Sequence, residues 1–202
     1  IDGFSNPVDY LRQEGYLAEQ ETIRISYEGT KRILESDLVA GDFTKEQLAA
    51  IGKDAERNLR ILMSTEAEAK NGGRIILFAC SVAHAKLLSG LLKLRGYTAA
   101  CVLGSTKSYV REQYIADFKN GSLQILINFG VLTTGFDAPK ANVAIIARPT
   151  QSLVLYSQMV GRVIRGVKAN GTESCRVVTV VDQQYGFKDL SESFDFWDDL
   201  WE

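Results

Sequence analysis

Apolar residues in the middle of this chain come in short unbroken runs, separated by polar punctuation. Ile75-Ile76-Leu77-Phe78-Ala79 is the first such run, too short for a helix and continuous as in a strand buried on both faces. Residues 97–103, 123–127, 143–147 and 176–181 give four further strands. Between them the period lengthens to that of a helix. Ala85, Leu87, Leu88, Leu91, Leu92 and Leu94 follow Ser81, and Tyr114, Ile115 and Phe118 follow Ser108. Gly96 and Asn120-Gly121 close these helices. Strands alternating with helices predict an α/β fold whose parallel sheet is covered by helices on both faces.

Residues 1–73 read as a mainly helical linker or insertion leading into a main domain at 74–182. Asn6-Pro7 is a helix-start signal, Thr22 to Tyr27 alternates as a short strand does, and Thr44 opens another helix. A longer helix over 53–70 would place Leu59, Leu62 and Met63 on one face before Asn71-Gly72-Gly73 stops it. The tail, 183–202, carries Phe194, Trp197 and Trp201 at helical spacing beside three aspartates, as an amphipathic helix packed on the domain would.

Composition changes the picture in one respect. At 46% hydrophobic and 24% charged residues the chain is ordinary for a globular protein, but its net charge of −2 is unevenly spread. Residues 74–170 hold twelve Lys or Arg against three acids, a net +9 between two acidic flanks. A basic middle points to a polyanion partner such as nucleic acid. No apolar run is long enough to cross a bilayer, so no membrane partner is expected. Cys80, Cys101 and Cys175 are odd in number and lack metal-ligand spacing, which suggests free thiols in a reducing cytoplasm and no metal site. The sole histidine, His84, early in a helix, reads as structural or exposed rather than catalytic. The start at Ile1-Asp2-Gly3, without methionine, suggests a piece of a longer protein.

In a parallel sheet the ligand loops collect beyond the carboxyl ends of the strands. That edge is expected to gather Ser81, then Gly104-Ser105-Thr106, then Thr133, Thr134, Gly135 and Asp137, and finally the stretch that follows Arg148-Pro149-Thr150. Small hydroxyls and helix-start N–H groups bind phosphates without reading bases. The last stretch, Gln158-Met159-Val160-Gly161-Arg162-Val163-Ile164-Arg165, sets two arginines three residues apart, on one face if it is helical, and a planar guanidinium suits phosphate oxygens.

Taken together these segments resemble the C-terminal RecA-like domain of superfamily 2 (DEAD/DEAH-type) helicases and translocases, over about residues 74–181. The stretch 75–81 is similar to the family's motif IV, Val131-Leu132-Thr133-Thr134-Gly135-Phe136-Asp137-Ala138-Pro139 to motif V, and 158–165 to motif VI with its Gln-x-x-Gly-Arg-x-x-Arg pattern. The wording of motif V, and the run Ala147-Arg148-Pro149-Thr150, look closest to restriction-enzyme and repair helicases. The resemblance implies that Arg162 and Arg165 act as arginine fingers on the γ-phosphate of ATP held, with Mg²⁺, mainly by an N-terminal RecA-like domain. It implies ribose and nucleotide contacts for Asp137, Gly135 and Gln158, and strand-backbone contacts for Ser81, Ser105, Thr106 and Thr133. The strand is expected to be DNA, with restriction or repair subunits as further partners.

Two features depart from the family pattern. Phe129-Gly130 stands where many relatives have a small or β-branched residue and an acid. No Gly-x-x-x-x-Gly-Lys-Ser/Thr loop and no Asp-Glu-x-His box occurs, so this stretch of chain is expected to lack ATPase activity by itself. A non-catalytic nucleic-acid-binding module, or an unrelated nucleotide-binding α/β enzyme, fits the same texture.

Overall fold

The computed structural model describes residues 7–29, 33–131, 140–187 and 189–192. Asn6 at the first helix start, the motif V residues 132–139 and the aromatic tail from 193 onward lie outside them. Element order is α1 (Pro7–Gln13), β1 (Glu19–Tyr27), α2 (Lys45–Ile51), α3 (Ala55–Lys70), β2 (Ile75–Phe78), α4 (Val82–Leu94) and β3 (Ala99–Val102). There follow α5 (Ser108–Asn120), β4 (Ile125–Asn128), β5 (Val143–Ile146), α6 (Leu153–Val160) and β6 (Ser174–Asp182). The six strands form one parallel sheet in the order β1-β6-β5-β2-β4-β3, the α/β class that the strand–helix alternation predicted and the RecA-like arrangement that the resemblance implied.

Strands β2, β4 and β5 are buried at every residue, because the sheet is covered on both faces. One face packs Ile76, Phe78, Leu126 and Ala144 against Phe118 of α5 and Tyr156, Met159 and Val160 of α6. The other packs Ile75, Leu77, Ile125 and Val143 against Ile61 and Leu62 of α3 and Ala85, Leu88 and Leu92 of α4. A smaller cluster of Phe43, Leu48, Ile51 and Cys80, with Tyr185 and Phe187 against it, closes the carboxyl edge.

The segment before residue 74 is drawn into this sheet rather than standing apart as a linker. β1 pairs along its whole length with β6, from Glu19 opposite Ser174 to Tyr27 opposite Asp182, and becomes the edge strand. The α3 face also differs from the hydrophobic reading, since Leu59 and Met63 are 47% and 61% exposed. The buried face instead carries Arg57, Asn58, Ile61, Leu62, Thr65, Glu68 and Ala69. The polar members go inward because each finds a partner there. Arg57 pairs with Asp182, Asn58 Nδ2 donates to the Gly52 carbonyl at 2.9 Å, Thr65 Oγ1 donates to the Ile61 carbonyl at 2.7 Å, and Glu68 accepts from Arg176 at 2.5 Å.

Candidate functional site

The carboxyl ends of β2, β3, β4 and β5 meet at one edge, and each leads into a residue that the sequence singled out or into a neighbour of one. After β2, Ser81 is the N-cap of α4, and its hydroxyl accepts from the His84 N–H at 3.1 Å. Capping and exposure of the free N–H groups at that helix start are compatible, since an N-cap satisfies only one of several orphan donors. After β3, Thr106 Oγ1 accepts from the Leu103 N–H at 2.9 Å, which folds the loop so that Ser105 is exposed. After β4, the Asn128 side chain accepts from the Val131 N–H at 3.0 Å. The Arg148 guanidinium stands 5.8 Å over the Phe129 ring, which gives the unusual aromatic at that position a cationic neighbour. After β5, Thr150 donates to Asp42 at 2.9 Å and the Gln151 N–H donates to the same carboxylate at 2.8 Å. Together with the Ser152 cap on Leu155 this fixes the start of α6.

The expected convergence of all four segments on this edge does not occur. α6 begins there and, like any crossover helix, runs back across the sheet. Its eight residues carry the chain about 12 Å at 1.5 Å per residue. Gln158 lies in the last turn and the helix stops at Gly161, so Arg162 falls in the turn after it and Arg165 in an isolated bridge, and the two do not share a helix face. Both arginines are half-buried, and Arg165 sits opposite Leu17 just before β1 begins, at the amino end of the sheet. Ser81, Ser105 and Thr106 therefore belong to one edge and Arg162 and Arg165 to the other. Thr133, Gly135 and Asp137 lie outside the described residues.

A buried polar network under the carboxyl edge had no sequence signal. Arg57 is 1% exposed, and its Nε and Nη2 reach the two Asp182 oxygens at 2.7 and 2.9 Å. Nη2 also donates to the Ala147 carbonyl at 2.8 Å, and the Cys80 thiol donates to that carbonyl at 3.1 Å. Burial pushes the Cys80 thiol up to about 11, so it serves as a donor and not as a nucleophile. Beside it the Tyr27 hydroxyl donates to Asp54 at 2.6 Å, and burial followed by that bond pushes the phenol up to about 12. Cavities of about 60 and about 270 Å³ open here, the first lined by Arg148, Thr150 and Asp182 and the second by Tyr27, Asp54 and Arg57. Neither is lined by Arg162 or Arg165. Its two charges stand near a helix start and at a strand end 125 residues apart, which no local pattern connects.

His84 is buried, which decides between the structural and the exposed reading that its place in the sequence left open. It is 1% exposed, and its Nδ1 accepts from the Cys80 N–H at 3.1 Å, so the neutral ring carries its proton on Nε2. Burial first, and then the Arg57 charge, pulls the imidazole down to about 3. The folded ring thus refuses a proton that the unfolded one takes below its ordinary 6.5. Stability is expected to fall as pH drops through 6.5, by about 2 kcal/mol at pH 5 from this group. Urea unfolding at pH 7 and pH 5 checks this, and an identical pH loss in His84→Asn would assign the effect elsewhere.

Comparison with known proteins places these features. Residues 54–167 match the family described as the helicase conserved C-terminal domain. The protein IRC3 of Saccharomyces cerevisiae is 33% identical over 139 residues, covering 65% of this chain and 20% of its own length. The ATP-dependent RNA helicase DBP3 of Eremothecium gossypii is 26% identical over 132 residues, covering 65% of this chain and 23% of its own. Among solved structures, a fragment of an HsdR subunit of a type I restriction enzyme from Vibrio vulnificus shares the fold with a TM-score of 0.58 at 20% identity, over 82% of this chain and 32% of that one. The chain thus spans about a fifth to a quarter of the length of these two sequence relatives.

Proposed function

We infer that this chain, which belongs to the helicase conserved C-terminal domain family, is the C-terminal motor half of an ATP-dependent nucleic-acid helicase or translocase. The observation that carries this reading is the family match over 54–167, which takes in the motif IV, V and VI segments on a fully parallel sheet. Those residues suit a nucleotide shared with a second domain. Arg162 and Arg165 are half-buried, the first on the turn that ends α6 and the second at the bridge to Leu17, and Gln158 lies four residues before Arg162. The planar guanidiniums of Arg162 and Arg165 fit phosphate oxygens, and ATP with Mg²⁺ would be held mainly by the N-terminal RecA-like domain.

When bound, ATP with Mg²⁺ supplies the phosphoryl group whose hydrolysis drives movement. Arg162 and Arg165 would stabilise the charge that develops on its oxygens, acting as preorganised donors. Gln158 would orient the nucleotide, and Gly135 and Asp137 would take its ribose side. Ser81, Ser105, Thr106 and Thr133 would hold the strand backbone. The separation of the two groups to opposite edges supports this division of labour. DNA is the proposed strand, on the likeness of motif V and of the 147–150 run to restriction and repair helicases, with subunits of such systems as proposed partners in the cytoplasm.

The test is an ATPase assay of the full-length protein with single- and double-stranded DNA and RNA. Stimulation by DNA is expected, stimulation by RNA alone would reassign the strand, and no stimulation by either would overturn the motor reading. The 202-residue chain by itself is expected to show no appreciable turnover, and clear nucleic-acid-stimulated hydrolysis by it would show a complete site.

A further inference from the structure

Arg165 lies beyond the end of α6, in chain that no helix holds, yet its backbone is pinned from both sides. On one side is the connector from α1 to β1. The Ala18 N–H donates to the Ile164 carbonyl at 2.8 Å, the Gly166 N–H to the Tyr16 carbonyl at 2.9 Å, and the Lys168 N–H to the Gly15 carbonyl at 2.9 Å. Leu17 and Arg165 face each other between these bonds as an antiparallel bridge. Lys168 Nζ adds a bond to Glu14 at 2.7 Å and stands 5.3 Å over the Tyr16 ring. On the other side the Thr172 N–H donates to the Arg165 carbonyl at 3.0 Å and the Gly171 N–H to the Gly166 carbonyl at 2.8 Å.

The approach is closest at Gly166. A Cβ there would lie 2.3 Å from the Gly15 carbonyl oxygen and 2.8 Å from that of Leu17, both backbone atoms that cannot swing aside. Only glycine lets the connector come this near. Such closeness matters for a long side chain that must meet developing charge, since a misplacement of about 1 Å can cost about 10²-fold in rate.

We propose that the connector at residues 14–18 is a positioning element for Arg165, and that Gly166 is the residue that admits it. This rests on the reading of Arg165 as a nucleotide-facing arginine. Gly166, Tyr16 and Lys168 are positioning residues and touch no reacting atom.

The experiment uses the full-length protein and separates kcat from KM. Gly166→Ala is expected to lower kcat about 10- to 100-fold while nucleotide KM and nucleic-acid affinity stay within about twofold. Placed on an Arg165→Ala background, it is expected to cause no further loss, because it acts through the side chain already removed. Lys168→Glu, at an exposed ion pair that does not endanger folding, is expected to lower kcat about two- to fivefold, with recovery on adding Glu14→Lys. Wild-type kcat in Gly166→Ala, or a loss that multiplies with that of Arg165→Ala, overturns the positioning role. Should Gly166→Ala fail to fold, an unchanged kcat in Lys168→Glu, or a loss that Glu14→Lys does not recover, does the same. Unchanged turnover in Arg165→Ala overturns the parent reading and this one with it, whereas loss there with a normal Gly166→Ala overturns this one alone.

Discussion

Arg165→Ala in the full-length protein is expected to lower nucleic-acid-stimulated ATP turnover by about 10³–10⁵-fold while nucleotide binding is retained. The size follows from when the contact acts. A guanidinium aimed at charge that appears only in the transition state contributes little to ground-state binding and much to rate. Arg165 suits that role because the bonds from Ala18, Gly166 and Thr172 fix its main chain before any ligand arrives. Steady-state turnover beside nucleotide titration checks it. Turnover within a few-fold of wild type would remove Arg165 from the chemistry, and a matching loss of affinity would make it a binding residue.

Asp182→Ala is expected to destabilise the chain by about 3–5 kcal/mol, measured by urea unfolding. Its carboxylate is the counter-charge of a guanidinium that is 1% exposed, and Ala147 and Cys80 offer Arg57 only a carbonyl and a sulfur besides. Removing the acid leaves a buried charge uncompensated. Replacing both partners with apolar residues, Arg57→Met with Asp182→Leu, is expected to recover part of that loss, because neither desolvation cost then remains. A loss below about 1 kcal/mol in Asp182→Ala would mean that water reaches Arg57 and that the network contributes little.

The stability and rate predictions differ in how far the sequence foretold them. The five strands from β2 to β6, with α4 and α5 between them, were legible because buried parallel strands write themselves as apolar runs, and helix caps such as Ser81 stand where a local rule puts them. The segment 158–165 stood out as a candidate site for the same reason, since residue type and spacing survive without coordinates. The α3 face was not. Arg57, Thr65 and Glu68 look like a solvated stripe until partners from β6 arrive to bury two of them. Nor was the membership of residues 19–27 in the sheet, which depends on an edge of β6 that lies some 150 residues on.

By itself, then, the sequence determined the α/β class, the parallel sheet and the candidate residues, because each follows from local periodicity, capping and chemical type. Tertiary structure alone decided which candidates share an edge. A crossover helix must return across the sheet before the next parallel strand can begin, so a motif at the end of α6 is carried to the edge opposite the loop that precedes it. It also decided what holds Arg165. The bonds from residues 15–18 to residues 164–168 join parts of the chain about 150 positions apart, and only folding brings such partners within hydrogen-bond distance.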